Sequence, residues 1–177
     1  MDSWLFDLLN QFANRWQFLD YLIIFCAEYL PYLAAILFFI LFLYRRKFSK
    51  EAVYIVFLSV VTALVSRFLI ANVLKILISR PRPFETDLNV VQILPSDEVL
   101  TSFPSGHAAF FFPLAVMLYL FDKKSGIILF LIIVMMGIAR ITGGVHWPSD
   151  ILGGAVIGVI SALAAYYFLA LKKKFLR

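Results

Sequence analysis

Charge is what this sequence has least of. Of 177 residues, 15% are charged and 63% hydrophobic. A soluble domain carries about 25% charged and roughly 45–50% apolar residues. One buried core cannot hold such an excess, so the composition excludes a water-soluble globule and implies a lipid bilayer as solvent. Cysteine is scarcer still: Cys26 stands alone. No intrachain disulfide can form, the redox compartment is not encoded, and Cys26, inside an apolar run, reads as packing. There is no carboxylate cluster to hold Mg²⁺ and no His/Cys set to hold Zn²⁺, so neither a metal nor a cofactor is expected. Internal repeats and low-complexity segments are lacking. So is a basic N-terminal region ahead of an early apolar run, and no cleavable signal peptide is expected. The net charge of +5 does not indicate nucleic acid, because the basic residues do not share one soluble face. The length suits one membrane domain over residues 1–177.

Apolar runs are what the chain does have. A spanning helix needs about 20 mostly apolar residues. Five runs qualify: Phe18–Tyr44, Ala52–Ile78, Pro104–Leu120, Gly126–Thr142 and Ser149–Leu171. Before them Trp4, Leu5, Leu8, Leu9, Phe12 and Trp16 recur at helical spacing, with Asp2, Asp7, Asn10, Gln11 and Arg15 filling much of the rest. That pattern suits a helix lying in the membrane interface; a frayed N-terminus is the alternative. The expected fold is an all-α integral membrane bundle of five transmembrane helices plus this N-terminal interfacial helix.

Ten of the 16 basic residues fall on one side of such a bundle: Arg45, Arg46, Lys47 and Lys50, then Lys123 and Lys124, then Lys172, Lys173, Lys174 and Arg177. The positive-inside rule makes that side, with the C-terminus, cytoplasmic. Lys75, Arg80, Arg82 and Arg140 break the rule, because they fall near the outer ends of the second and fourth runs. An anionic substrate would account for cations there.

Three clusters share this outer rim: Lys75-x6-Arg82-Pro83, Pro104-Ser-Gly-His107, and Arg140-x5-His146-x3-Asp150. Lys75, Arg82 and Arg140 can hold a phosphate and neutralise charge that builds in its transition state. Pro104 suits a first helical turn. The backbone N–H groups around Ser105, Gly106 and His107 would then form an anion site, with the Ser105 hydroxyl as a further donor. Pro148 likewise marks a helix start and puts Asp150 in its first turn. Both histidines of the chain lie here, and histidine titrates near neutral pH. His146, with Asp150 to hold one tautomer, is the better nucleophile; His107, with no adjacent acid, is the better general acid. Attack by histidine on phosphorus would give a phosphohistidine.

Taken together, these three motifs resemble the signature of the type 2 phosphatidic acid phosphatases (PAP2), a superfamily that includes bacterial undecaprenyl pyrophosphate phosphatases. The motifs span Lys75 to Asp150, and the hydropathy layout extends the likeness over most of the chain. The resemblance implies His146 as nucleophile, Asp150 as its partner, His107 as acid, and phosphate binding by Lys75, Arg82, Ser105, Gly106 and Arg140. It implies a lipid phosphate or diphosphate substrate, with undecaprenyl diphosphate ahead of phosphatidylglycerophosphate and phosphatidic acid. The implied setting is the bacterial cytoplasmic membrane, with the site facing outward among membrane lipids. Two positions depart from the pattern. Ala139 stands where the family usually has serine, and Gly106 stands where some relatives are acidic.

Other residues leave choices open. Arg67 sits deep in the second run, where a lone charge is costly, and Glu28 lies at similar depth in the first. A buried Glu28–Arg67 pair supporting the site, with Asn72 nearby, is expected; direct contact of Arg67 with substrate is the alternative. Arg80 is expected to be a solvated loop residue, or else to reach a second phosphate. The connection from Ser79 to Phe103 reads equally as a lid and as a packed tether. Phe110–Phe112 are expected to face lipid, or to line a groove for a lipid tail. A rim of cations would also serve an anion binder or transporter, but no internal repeat or pair of broken helices supports one. Oligomeric state is not encoded.

Overall fold

The computed structural model describes residues 2–45, 49–96 and 101–175, and the side chains of these except Arg45 and residues 170–175. Arg46, Lys47, Asp97, Glu98 and Arg177 therefore lie outside the described residues, as do the side chains of Arg45 and Lys172–Lys174. The described residues contain helices and no strand. Helix α1 is Asp2–Asn10. Gln17–Ile24, a π-helical turn Phe25–Tyr29 and Leu30–Arg45 run on as α2. Lys50–Leu64, a second π-helical stretch Val65–Ala71 and Asn72–Ile78 form α3. A single turn, α4, covers Pro83–Thr86. Helices α5 (Gly106–Phe121), α6 (Lys123–Thr142) and α7 (Pro148–Phe175) complete the bundle.

Four of these helices are long and apolar enough to cross a membrane: Gln17–Tyr44, the helix beginning at Lys50, Lys123–Thr142 and Pro148–Leu169. The fifth expected span, α5, is apolar but has 16 residues. At 1.5 Å per residue it extends about 24 Å, against a hydrocarbon core of about 30 Å. It is also the central helix, buried at Ala108, Ala109, Phe111 and continuously from Pro113 to Leu118. Apolar side chains all round a helix suit such a position.

Small residues bring the elements together. On α7, Gly154 and Ala162 are buried, while Leu152, Val156 and Ile160 are 57–66% exposed. This inverts the pattern of a soluble helix. Lipid is as apolar as leucine, so helices meet through small residues that allow backbones to approach. A Cβ at Gly154 would lie 2.4 Å from the Ser105 carbonyl oxygen, and one at Gly158 would lie 2.7 Å from Cδ of Pro113. The α5–α7 contact therefore requires glycine on α7, and it sets the start of α7 beside the start of α5. There the Ser105 N–H donates to the Asp150 carbonyl over 2.9 Å.

Helix α1 is shorter than its pattern suggests and rests on protein. Trp4, Leu5 and Leu8 on α1, and Phe12 and Trp16 after it, are exposed. Phe6 and Asn10 are the buried residues. Asn10, expected on the polar face, donates to the carbonyls of Val91 and Thr142 and accepts from the Val91 N–H. Helical spacing marks faces; it does not reveal that a buried amide can satisfy loop backbone. The Ile93 N–H donates to the Gly143 carbonyl and Leu94 is buried. Over these residues the connection after α4 is a packed tether.

Candidate active site

The three motifs meet at one end of the bundle. Lys75, Arg82, Gly106, His107, Arg140 and His146 line a polar cavity of about 170 Å³, and Glu28, Arg67, Pro95 and Ser96 close it. Each cation comes from a different place. Lys75 lies in the last turn of α3, Arg82 at the N-cap of α4, and Arg140 in the last turn of α6. All three are over nine-tenths buried. Backbone oxygens aim them. The Lys75 ammonium donates to the Thr101 carbonyl (3.2 Å), Arg82 Nη1 to the Val145 carbonyl (2.8 Å) and Arg140 Nη1 to the Ala27 carbonyl (3.4 Å).

The expected cradle at the start of α5 is partly changed. The helix begins at Gly106 with Ser105 as N-cap, two residues after Pro104. The Ser105 N–H is committed to Asp150, and Ala109 N–H makes the first intrahelical bond, to the Ser105 carbonyl. The helix-end donors of Gly106 and His107 belong to the first turn, where the positive end of the dipole lies. The Ser105 hydroxyl is buried and has no hydrogen-bond partner among the described residues. Ser105 is fully buried and is not among the residues lining the polar cavity, which begin on this helix at Gly106.

His146 is fully enclosed, and its Nδ1 lies 3.3 Å from Oδ2 of Asp150. The Nδ1 contact with Asp150 orients the ring. Asp150 is itself fixed from two other directions. Oδ2 accepts the Trp147 N–H at 2.8 Å and Oδ1 accepts Nη1 of Arg80 at 2.9 Å. Arg80 is thus no solvated loop residue. Its guanidinium also donates to Asp2 and to the Ser149 hydroxyl, and it lies over the Trp147 ring at 5.1 Å. Phe6 meets the same indole at 5.0 Å. Asp2 accepts the Ser149 N–H, so α1 caps the start of α7. Burial pushes the Asp2 carboxyl up, but hydrogen bonds from Arg80 and Ser149 outweigh it and hold the group below the usual carboxylate range. Sequence reasoning missed this row of Asp2, Arg80, Ser149 and Trp147. The alternation Arg80-Pro-Arg82-Pro was the available signal for Arg80. Asp2 had none, because its partner Ser149 is 147 residues away.

The opposite wall is built differently. The expected Glu28–Arg67 pair takes another form: the Glu28 carboxylate faces Arg140 Nη1 at 3.6 Å, and Arg67 Nη1 donates to Asn72 Oδ1 at 3.3 Å. The two residues still line the same cavity. They sit on the two π-helical turns, and a π-turn rotates the side chains that follow relative to an uninterrupted α-helix. Counting depth along ideal helices therefore misassigned the partner. From this wall a cleft of about 360 Å³ runs along Tyr32, Ala35, Phe68, Phe110 and Phe111. Two of the three phenylalanines of the run thus line a groove. Phe112 instead meets the Phe130 ring. Ala139 lies outside the polar cavity, buried in an apolar cluster with Cys26, Ala27, Leu94 and Val145.

Comparisons with known proteins bear on the family and the fold. The profile of the PAP2 superfamily matches residues 56–174. A Bacillus licheniformis protein named bacitracin transport permease protein BcrC is 32% identical over 162 residues, covering 92% of this chain and 77% of that protein. An undecaprenyl-diphosphatase of Sulfolobus acidocaldarius is 30% identical, covering 87% of this chain and 71% of the relative. Among solved structures, the crystal structure of Aquifex aeolicus LpxE superposes with a TM-score of 0.71 at 27% identity, over 94% of each chain.

Proposed function

The chain belongs to the PAP2 superfamily, and from that premise we propose that it is a membrane lipid phosphatase acting on a lipid diphosphate, with undecaprenyl diphosphate as the preferred substrate. The observation that carries this reading is the convergence of His146, His107 and three buried cations on one cavity continuous with an apolar cleft. Lys75, Arg82 and Arg140 hold the terminal phosphate, joined by the Ser105 hydroxyl and the first turn of α5 at Gly106. Nε2 of His146 attacks phosphorus while the bond to the bridging oxygen breaks. His107 protonates that oxygen, and lipid phosphate departs. Water then attacks the phosphohistidine, His107 takes its proton, and inorganic phosphate leaves. Asp150 stabilises the imidazolium that forms on His146. The lipid tail lies along Phe68, Phe110 and Phe111.

The charge pattern of the connections supports a site on the outer face of the bacterial cytoplasmic membrane, with the C-terminus inside. On this reading α5 is the fifth crossing, shortened because its start forms the floor of the site. The names of several relatives support a diphosphate substrate, among them an Escherichia coli protein named putative undecaprenyl-diphosphatase YbjG at 28% identity. The transport name of the Bacillus licheniformis relative favours a binding or transport role instead.

Phosphate release by the purified protein in detergent with excess EDTA separates these readings. The substrates are undecaprenyl diphosphate, phosphatidylglycerophosphate and phosphatidic acid, beside a His146→Ala control. Release that survives EDTA, vanishes in the variant and is fastest with the diphosphate is expected. A folded protein releasing phosphate from none of them would mean a binder or transporter.

A further inference from the structure

Two cavities share a threshold. The polar cavity and the apolar cleft have four lining residues in common: Glu28, Arg67, Gly106 and His107. A lipid with its terminal phosphate beside His146 and its tail along Phe110 and Phe111 must pass its connecting group between them. In a lipid monophosphate that group is an ester oxygen and a carbon chain. In a lipid diphosphate it is a second phosphate, which carries additional negative charge.

One of the four threshold residues is a cation lodged against backbone. The Arg67 guanidinium fills the space where a side chain at 106 would stand. A Cβ there would lie 2.1 Å from Cζ of Arg67 and 2.3 Å from Nε and Nη1. Gly106 therefore admits Arg67 to the residue next to His107. Asn72 accepts one of its N–H groups and orients the fork. The π-helical stretch Val65–Ala71 carries it, and such turns recur at functional positions. Glu28, the acid on the same threshold, lies against Arg140. Arg67 lines both the polar cavity and the cleft, so it stands where the phosphate nearer the lipid would pass.

We propose that Arg67, seated over Gly106, binds the lipid-proximal phosphate of a diphosphate and is the residue that sets preference for lipid diphosphates over monophosphates. This rests on the phosphatase reading above. Arginine suits the task because its planar fork matches phosphate oxygens in pairs.

Farnesyl diphosphate and farnesyl phosphate share one tail and isolate the second phosphate. The quantity to measure is the ratio of their kcat/KM values with the purified protein. Arg67→Gln is expected to lower that ratio by about 10- to 100-fold, the loss typical of one charge-assisted contact, and Arg67→Lys to restore part of it. Gly106→Ala, which displaces the guanidinium, is expected to lower the ratio several-fold in the wild-type background and to add nothing to Arg67→Gln. A residue needed only for folding would depress both substrates equally. Equal losses, or additive effects of the two substitutions on the ratio, overturn the assignment while leaving the phosphatase reading intact. A wild-type protein that cleaves neither substrate overturns both. Should Arg67→Gln not fold, Gly106→Ala decides alone: an unmoved ratio refutes the role of Arg67.

Discussion

The two walls of the cavity are organised on opposite principles. Behind His146 the side chains of Asp2, Arg80, Ser149 and Asp150 and the Trp147 backbone are joined by direct hydrogen bonds. The row ties α1, the loop before α4 and the start of α7 to one another. Around His107 the polar residues are spread on two π-helical turns and open onto an apolar cleft. On the proposed mechanism, with His146 as nucleophile and His107 as general acid, the difference matches the demands on each side. A nucleophile must be held in one tautomer and orientation before substrate arrives, because misplacement is costly in rate. A general acid at the substrate entrance must accommodate a long lipid sliding past it. Rigidity and access cannot be supplied by the same wall.

Breaking the rear wall at its centre has the largest effect. His146→Ala removes the proposed nucleophile, and phosphate release is expected to fall by at least about 10³-fold, of the order seen for essential nucleophiles. A variant retaining a tenth of the activity would move the nucleophile elsewhere. One step back, Arg80→Met deprives the buried Asp150 of a charged partner. Removing one member of a buried pair typically costs about 3–5 kcal/mol. Activity is expected to drop about 10- to 100-fold and the detergent melting temperature to fall with it. Activity near wild type would show that Trp147 and His146 hold Asp150 without help.

At the edge of the same wall, Asp2→Asn tests whether α1 contributes. The pair is partly exposed, so about 1 kcal/mol of stability is the appropriate scale. Because the folded carboxyl titrates below its ordinary value, its stabilisation is present above about pH 4 and is lost as pH falls through the folded pKa. Melting temperatures of wild type and Asp2→Asn should therefore differ near pH 7 and converge as pH falls below the ordinary carboxylate range. A constant gap across that range would assign the effect to packing. The smallest change is expected at Ala139. Restoring the family's usual serine there puts a hydroxyl among Cys26, Leu94 and Val145, where it can bond back to the carbonyl one turn earlier. Turnover should stay within about twofold, and a larger gain would indicate that the hydroxyl acts on the site through the Arg140 side of α6.

Much of this was legible in the chain. The long apolar runs mark the lipid-facing helices, since a run of that length has few other uses. The three motifs name the cavity, because cations and histidines at helix ends against the charge rule have little reason to be there otherwise. The reading failed where depth was counted along ideal helices. Glu28 and Arg67 were matched by depth, and the structure instead sets Glu28 against Arg140 and Arg67 beside Asn72. It failed again at Arg80, whose partners come from both ends of the chain.

The sequence by itself determined the solvent, the helical class and the end of the bundle at which the chemistry sits, because composition, periodicity and local motifs are one-dimensional properties. Only the tertiary structure decided which charge meets which: Asp2 with Arg80, Glu28 with Arg140, Arg67 with the space above Gly106. Those pairings depend on the rotation and closeness of helices. The π-turns of α2 and α3 set the rotation, and glycines such as Gly154 on α7 set the approach. Neither can be computed from spacing along a single helix.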